Sequence, residues 1–231
     1  MLHLIRQWLL PTLCCLCGID SEQSLCPVCI TLLPWKKQQG CYQCGRYLED
    51  GLESIRCTRC VESPPSFDRI ITVFAYQPPI PKMLSQLKHA KQLIYGRVLG
   101  ELLSHYIQDF SYRSSELPEV ILPIPLHAKR LRKRGFNQAV ELALPVSSKV
   151  QIPIDEKHCV RIKATRQQQF LKKSERYSNV QGAFKVVKSL PWKHVAVLDD
   201  VVTTGQTMKA FCSVLKKAGV EQIDVWAIAQ A

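Results

Sequence analysis

The chain has 231 residues, of which 46% are hydrophobic and 22% are charged, a balance typical of a soluble globular protein and not of a disordered chain. This length accommodates one α/β domain of medium size and a small additional module. Residues 1–65 hold six basic and six acidic side chains, so the net charge of +12 falls entirely on the remainder, and such an excess favours polyanionic partners.

The N-terminal segment, residues 1–13, is apolar but is interrupted by Arg6, Gln7 and Pro11 and has no small-residue cleavage site after it. We therefore expect an amphipathic helix there and not a signal peptide. No stretch of the chain reaches the roughly 20 apolar residues of a membrane span. The sequence predicts a cytoplasmic protein without membrane insertion.

Eight of the eleven cysteines form four Cys-x-x-Cys pairs, and two such turns can place four thiolates around one tetrahedral ion. A redox motif would be single and followed by a thioredoxin-like pattern, which the sequence does not show. A disulfide framework needs an oxidising compartment, for which the sequence shows no export signal. We predict one or two structural zinc ions in a module resembling a double zinc ribbon, residues 1–63. Pairing in sequence order is the default and cross-braced pairing stays open for the ligands Cys14, Cys17, Cys26, Cys29, Cys41, Cys44, Cys57 and Cys60.

Residues 67–231 are predicted to form a second domain, in which strand and helix patterns alternate. Such alternation predicts an α/β fold, a mostly parallel sheet with helices on both faces. The predicted strands are residues 69–76, 119–123, 195–198 and 223–229, and the predicted helices are residues 81–89, 97–109, 136–150 and 208–217.

Two basic segments follow in this domain. We predict a loop at residues 123–138, directly after a strand, and five of its six residues 129–134 are basic. A solvated charge run is the usual explanation, but this loop should open at the same sheet edge as the next motif and so favours an anion, either pyrophosphate or a nucleic-acid backbone. With the polar connector at residues 161–184 it supplies the predicted nucleic-acid surface: Lys129, Arg130, Arg132, Lys133, Arg134, Arg161, Arg166, Lys172, Lys173 and Arg176.

The most informative stretch is residues 195–207, an apolar strand that leads into Asp199 and Asp200 and then into a turn rich in hydroxyls and glycine. Backbone N–H groups at the start of the following helix suit a phosphate. The two carboxylates fit vicinal ribose hydroxyls together with Mg²⁺. The pattern resembles the 5-phosphoribosyl-1-pyrophosphate (PRPP) motif of type I phosphoribosyltransferases.

The order of all these features is similar to that of the ComF family over nearly the whole chain. The resemblance is carried by the cysteine pairs, Phe67-Asp68, Pro-Ile-Pro-Leu-His at 123–127, Arg-Gly-Phe-Asn-Gln at 134–138, the spaced residues Arg161, Thr165, Gln168, Leu171, Arg176 and Asn179, and Leu-Asp-Asp-Val-Val-Thr-Thr-Gly at 198–205. It implies a zinc finger joined to a type I phosphoribosyltransferase domain. Members act on incoming single-stranded DNA during natural transformation, beside a helicase partner.

Residue roles follow from this resemblance by position. It implies that PRPP with Mg²⁺ is bound by Asp199, Asp200, Val201, Val202, Thr203, Thr204, Gly205, Gln206 and Thr207. It implies the pyrophosphate side at Arg130, Arg134 and Asn137. The sequence shows no histidine with a recognisable partner for general-base catalysis, and we expect no hood that would hold a nucleophilic base after the last predicted strand. Three hypotheses remain: a competence protein that binds PRPP and single-stranded DNA, an active phosphoribosyltransferase, and an interaction module.

Overall fold

The computed structural model describes residues 12–36, 40–48, 56–111, 116–164 and 181–231. Most of the helix predicted at residues 1–13, and the basic residues Arg166, Lys172, Lys173 and Arg176, lie outside these ranges. Within the described ranges, no helix combines the length and the apolar character that crossing a bilayer requires.

A four-stranded parallel sheet forms the centre of the fold. Its strands are β1 (Arg69–Ala75), β2 (Val120–Pro123), β5 (His194–Val202) and β6 (Gln222–Gln230), in the order β1-β6-β5-β2. The two inner strands, β5 and β6, are almost entirely buried because both faces of the sheet are covered. The predicted α/β fold with a parallel sheet is confirmed.

Helices cover both faces of this sheet. Three of them, α3 (Ile80–Ala90), α4 (Ile94–Tyr106, continued by a π-helical turn) and α6 (Gln138–Val150), pack on the face that carries Ala196, Leu198 and Trp226. The opposite face, with Val195 and Val197, packs against α7 (Gln206–Lys217). Alternate residues of β5 therefore face different helices, as the two-residue period of a strand requires.

Three parts of the domain differ from the predictions. Strand β5 continues past Leu198 to Val202, because Asp199, Val201 and Val202 keep their register with β6, so the carboxylates lie inside the strand and not after it. The predicted basic loop contains a helix, α5 (Ala128–Arg134), which ends at Gly135 in the left-handed region. A short antiparallel hairpin of β3 (Cys159–Arg161) and β4 (Phe184–Val186) was not predicted.

The cysteine-rich region packs along β1 and covers that edge of the sheet. The Lys36 N–H donates to the carbonyl of Val73 at 2.8 Å, and the Ala75 N–H donates to that of Pro34 at 2.9 Å. The rings of Trp35 and Phe74 lie 4.8 Å apart. Two short helices, α1 (Pro27–Thr31) and α2 (Thr58–Glu62), each begin directly after a cysteine of this region.

Candidate functional site

Two groups of four cysteines form within the cysteine-rich region. The structure brings them together in sequence order, as Cys14, Cys17, Cys26 and Cys29 and as Cys41, Cys44, Cys57 and Cys60, with all sulfur atoms of a group within 4.8 Å of one another. The Sγ atoms of Cys17 and Cys26 are 3.8 Å apart, and those of Cys44 and Cys57 are 3.7 Å apart. A tetrahedron with Zn–S bonds of about 2.3 Å has edges of about 3.8 Å, so both groups fit zinc.

Local hydrogen bonds favour the thiolate form of one cysteine in each group, Cys14 and Cys41, whereas burial raises the pKa of Cys29, Cys44 and Cys60. The Cys26 N–H donates to Sγ of Cys14 at 3.4 Å, and the Cys57 N–H donates to Sγ of Cys41 at 3.2 Å. Burial acts to raise the pKa of the Cys14 thiol, but hydrogen bonds from backbone N–H groups have the larger combined effect and lower this pKa to about 6. For Cys41, burial and backbone hydrogen bonds also act in opposite directions, and the pKa is lowered to about 7. Four thiolates would close the coordination sphere, which indicates a structural role.

The second feature is the carboxylate pair near the carboxyl end of β5. Asp200 is buried, with 5% of its surface exposed, and its side chain meets α3 and α6. Its Oδ2 forms an ion pair with Lys88 Nζ, and its Oδ1 accepts a hydrogen bond from Gln138 Nε2 at 3.3 Å. Asp199 is partly buried, and its Oδ1 accepts from the Asp200 N–H at 2.9 Å.

These surroundings give the two carboxyl groups opposite protonation. Burial, and then the neighbouring Asp200 carboxylate, raise the pKa of Asp199 to about 8. Burial also acts to raise the pKa of Asp200, but the Lys88 ammonium outweighs it and the pKa is lowered. Near neutral pH, Asp199 is therefore mainly protonated and can donate a hydrogen bond, whereas Asp200 is ionised and accepts.

A cavity of about 400 Å³ lies beside this pair and is lined by cationic side chains. Among the residues that the structure describes, its lining contains no Asp or Glu and consists of Lys88, His89, Lys91, His127, Lys129, Arg130, Lys133, Arg134, Arg161 and Ala164. Burial and the nearby Arg130 lower the pKa of Arg134 and of Arg161, while Asp199 acts on both in the opposite direction. The cavity therefore suits a ligand that carries several negative charges.

The fold explains how distant segments meet at this cavity. Helix α5 presents its basic last turn, and the His127 ring caps its first turn by accepting from the Lys129 N–H at 3.2 Å. His127 also forms a parallel bridge with Arg161, which brings the β3–β4 hairpin to the cavity wall. The Arg161 guanidinium lies 5.2 Å from the centre of the Phe184 ring, which holds it in place.

Side chains connect the cavity to the carboxylate pair. Arg134 Nη1 donates to Oε1 of Gln138, and this contact directs the Nε2 of Gln138 to Asp200. Lys88 contacts Asp200 and also lines the cavity. The carboxylates and the cations thus belong to one continuous site at the carboxyl edge of the sheet, where parallel α/β folds bind ligands.

The third feature is the turn between β5 and α7. The helix begins after Gly205, which has φ +71° and offers no side-chain cap to the first N–H groups. The Thr204 hydroxyl is buried and has no hydrogen-bond partner among the residues that the structure describes. Nothing lies within 4 Å of the position of a Cβ at Gly205. A buried hydroxyl and the start of a helix beside an open space of this kind fit a phosphate.

We expect Gly205→Ala to abolish phosphate binding and to lower the free energy of unfolding by about 1–2 kcal/mol, since its φ is positive and the new methyl group would fill the open space. Gly219→Ala is the matched control, because Gly219 has φ +96° and also has no atom within 4 Å of a Cβ. Both variants should lose similar stability in urea, and only Gly205→Ala should lose the heat of binding of ribose 5-phosphate. Equal ligand binding by the two variants would contradict the phosphate assignment.

The predicted site residues differ in where their side chains lie. Lys129, Arg130, Lys133, Arg134 and Arg161 meet at the cavity, whereas Arg132 is exposed outside it. The Asn137 side chain donates to the Ile124 carbonyl at 3.0 Å and accepts from the Ala139 N–H at 3.1 Å, so it caps α6. The side chains of Val201 and Val202 pack into the core, which leaves only their backbone for a ligand.

Five polar residues of the site were not predicted. They are Lys88, His89, Lys91, His127 and Gln138. The sequence carried one signal for three of them, because Lys88-His89-Ala90-Lys91 is a basic cluster at the end of a predicted helix. No signal in the sequence indicated that Gln138 contacts Asp200.

Comparison with known proteins gives the family. A family model described as "Phosphoribosyl transferase domain" matches residues 136–230, a range that includes the carboxylate pair and the turn before α7. The chain is 32% identical over 215 residues to "Competence protein F" of Haemophilus influenzae, covering 91% of this chain and 92% of the relative. It is 31% identical over 222 residues to "DNA utilization protein YhgH" of Escherichia coli, covering 94% and 96%.

The chain belongs to the ComF family. Among solved structures, it is similar to the glutamine PRPP amidotransferase of B. subtilis, at 17% identity over 57% of this chain and 25% of that chain, with a TM-score of 0.36. It is also similar to a purine phosphoribosyltransferase of Pyrococcus horikoshii, at 16% identity over 58% and 80% of the chains, with a TM-score of 0.33. The ComF assignment rests on the sequence relatives, and the fold assignment on the parallel sheet and the matched domain.

Proposed function

We propose that this ComF protein binds PRPP, or a similar phosphate ligand, and handles incoming single-stranded DNA in the cytoplasm during natural transformation. The observation that carries the proposal is the juxtaposition of the carboxylate pair with a cavity lined by cations. The names of the relatives support a role in competence and DNA utilization. A helicase partner, which the family resemblance implies, belongs to the same proposal.

The turn before α7, the carboxylate pair and the cationic cavity would each hold a different part of PRPP. The turn at Thr203–Thr207 would hold the 5′-phosphate through backbone N–H groups and the Thr204 hydroxyl. Asp200 would accept from the ribose hydroxyls, and protonated Asp199 would donate to them. The cavity would hold the pyrophosphate through Arg130, Arg134 and Arg161.

Magnesium fits this arrangement as a companion of the ligand. Mg²⁺ binds carboxylates but usually keeps several waters and takes substrate phosphates as ligands. In the structure both oxygens of Asp200 already have partners, Lys88 and Gln138. Mg²⁺ would accompany the phosphate oxygens of PRPP and would offset their charge.

Single-stranded DNA would follow the exposed basic residues at the rim of this cavity. Lys129, Arg132 and Lys133 are exposed on α5, and they are accessible to an extended phosphate backbone. Such binding releases condensed counterions and weakens steeply as salt is added. Base preference should be weak, because few aromatic rings accompany the charges.

The test uses two kinds of variant of α5. Replacing Arg132, Lys133 and Arg134 together with alanine should flatten the salt dependence of single-strand affinity by about 2 in logarithmic slope, at about 0.7 for each lost phosphate contact. Arg132→Ala alone should leave PRPP binding unchanged, whereas Arg134→Ala should weaken it about 10- to 100-fold through the loss of a charged hydrogen bond. An unchanged slope in the triple variant would refute the DNA surface.

The second candidate function is an active phosphoribosyltransferase, which the intact carboxylate pair and phosphate turn favour. In that reaction PRPP loses pyrophosphate as an acceptor base attacks the ribose, and the protein would position the ligand and stabilise the developing charge. Release of pyrophosphate from PRPP in the presence of candidate bases distinguishes it from binding alone. Turnover with one base and none without it would establish the enzyme.

A further inference from the structure

Lys88 lies where the two halves of the candidate site meet. Its ammonium forms an ion pair with Asp200, and 25% of its side chain is exposed, towards the cavity that it lines. Burial acts to lower the pKa of Lys88, but Asp200 outweighs this effect and the pKa is raised, so the side chain is charged at neutral pH. A lysine carries its charge on a flexible four-carbon stem, and the Lys88 ammonium can therefore reach either Asp200 or an anion in the cavity.

Lys88 and Gln138 each contact one oxygen of the buried Asp200 carboxylate. Oδ2 is held by the ammonium, and Oδ1 accepts from Gln138 Nε2, which Arg134 orients through Oε1. The carboxylate is also buried, so solvent offers a new donor little access. Each oxygen keeps a second lone pair, but only 5% of Asp200 is exposed, so a sugar hydroxyl gains access to it when one of these partners moves away.

We propose that Lys88 is a positioning residue that couples the sugar side of the site to the anion side. An anion in the cavity draws the ammonium away from Asp200, and the freed carboxylate then accepts from the vicinal hydroxyls of a sugar phosphate. The inference rests on the proposed function and extends it: the two ligand halves bind cooperatively, and Lys88 transmits the effect.

The charges around Lys88 give the direction of this coupling. In the described part of the chain, the cavity is lined by Lys91, Arg130, Arg134 and other cations and by no carboxylate, so an ammonium moves into it at low cost only when an anion is present. Pyrophosphate alone would leave Asp200 buried without its counter-ion, which is unfavourable. A sugar phosphate alone would have to displace Lys88 with no anion to receive it. Each ligand therefore removes the obstacle to the other.

Titration calorimetry with two separate probes measures the coupling directly. Inorganic pyrophosphate and ribose 5-phosphate are each titrated into the full chain, alone and with the other at saturation, at a constant concentration of Mg²⁺. We expect each probe to bind roughly 5- to 10-fold more tightly in the presence of the other, and the two factors to be equal, as linkage requires.

Variants of two lysines locate the coupling. Lys88→Met should abolish it or make it slightly negative, because two anions in neighbouring subsites repel each other. Lys91→Met is the matched control, since Lys91 also lines the cavity and Asp200 is paired with Lys88. It should weaken pyrophosphate binding and keep the coupling factor. The double variant Lys88→Met with Asp200→Asn avoids an uncompensated buried carboxylate and should also lack coupling.

The outcomes are distinct. Independent binding of the two probes to the unaltered chain, or a coupling factor that survives in Lys88→Met and in the double variant, would overturn the role of Lys88 and leave the proposed function intact. Failure of both probes to bind the unaltered chain would refute the proposed ligand site, and the coupling with it.

Discussion

Cys41→Ser is expected to lower the zinc content from two equivalents per chain to one and to reduce the melting temperature by roughly 10 °C. The binding energy of a structural zinc site is folding energy, because the site does not exist in the unfolded chain. Its loss should cost several kcal/mol, and each kcal/mol shifts the melting temperature of a protein of this size by about 2–4 °C.

The structure shows why this loss should reach the sheet. The Lys36 ammonium donates to the Gly45 carbonyl at 2.8 Å and to the Thr72 hydroxyl at 2.9 Å, and so joins the second cysteine group to β1. Gln230, the last residue of β6, donates from Nε2 to the Cys44 carbonyl at 2.9 Å. Unfolding of residues 40–60 would remove these contacts from two neighbouring strands.

Elemental analysis and thermal unfolding of protein purified under reducing conditions measure both effects. Cys15→Ser is the control, because Cys15 is adjacent to a ligand but belongs to neither group of four. It should retain two equivalents of zinc. Two equivalents in Cys41→Ser, or no zinc in the unaltered chain, would contradict the assignment of these cysteines.

Asp200→Asn is expected to remove most of the thermal stabilisation that PRPP gives, whereas Asp199→Asn should retain a large part of it. At a hundredfold excess over Kd, a ligand stabilises the folded state by about 2.7 kcal/mol, or roughly 5–10 °C here. Protonated Asp199 is already a neutral donor, and asparagine reproduces that state. Asp200 is the ionised acceptor, and a lost hydrogen bond to a charged group costs about 1.5–3 kcal/mol.

The difference between the two variants should also depend on pH. Below about pH 8 Asp199 is mainly protonated, so Asp199→Asn changes little there. Above pH 8 the unaltered chain gains a second negative charge next to Asp200, and its affinity for an anionic ligand should fall, while that of Asp199→Asn should not. Melting curves with and without PRPP between pH 6.5 and pH 9 measure this, and equal losses in both variants at neutral pH would contradict the assigned protonation.

The sequence was sufficient wherever the determining interactions are local or periodic. Two Cys-x-x-Cys turns point their own thiolates at a common centre, so spacing alone indicated the metal groups. Alternating strands and helices predicted the parallel sheet, because the helices that connect parallel strands cover both faces of the sheet and the strands are then apolar throughout. The turn at residues 203–207, which we propose to hold a phosphate, is one continuous segment and is recognisable in the sequence for the same reason.

Interactions between distant segments were not predictable in this way. The pairing of Lys88 with Asp200 depends on how α3 packs over the end of β5, more than a hundred residues later in the chain. The β3–β4 hairpin consists of two three-residue strands, which are too short to show a period. The sequence predicts a loop where helix α5 forms, because the charged residues of α5 conceal any apolar face, although Gly135 is a typical helix-ending residue.

Calorimetric titration of Mg²⁺–PRPP into the unaltered chain tests the central claim most directly. We propose that the carboxylate pair, the turn at residues 203–207 and the cationic cavity act as one site, and we therefore expect one equivalent of PRPP to bind, more tightly than ribose 5-phosphate or pyrophosphate alone. Binding of PRPP no tighter than that of either fragment, or no binding at all, would contradict the account.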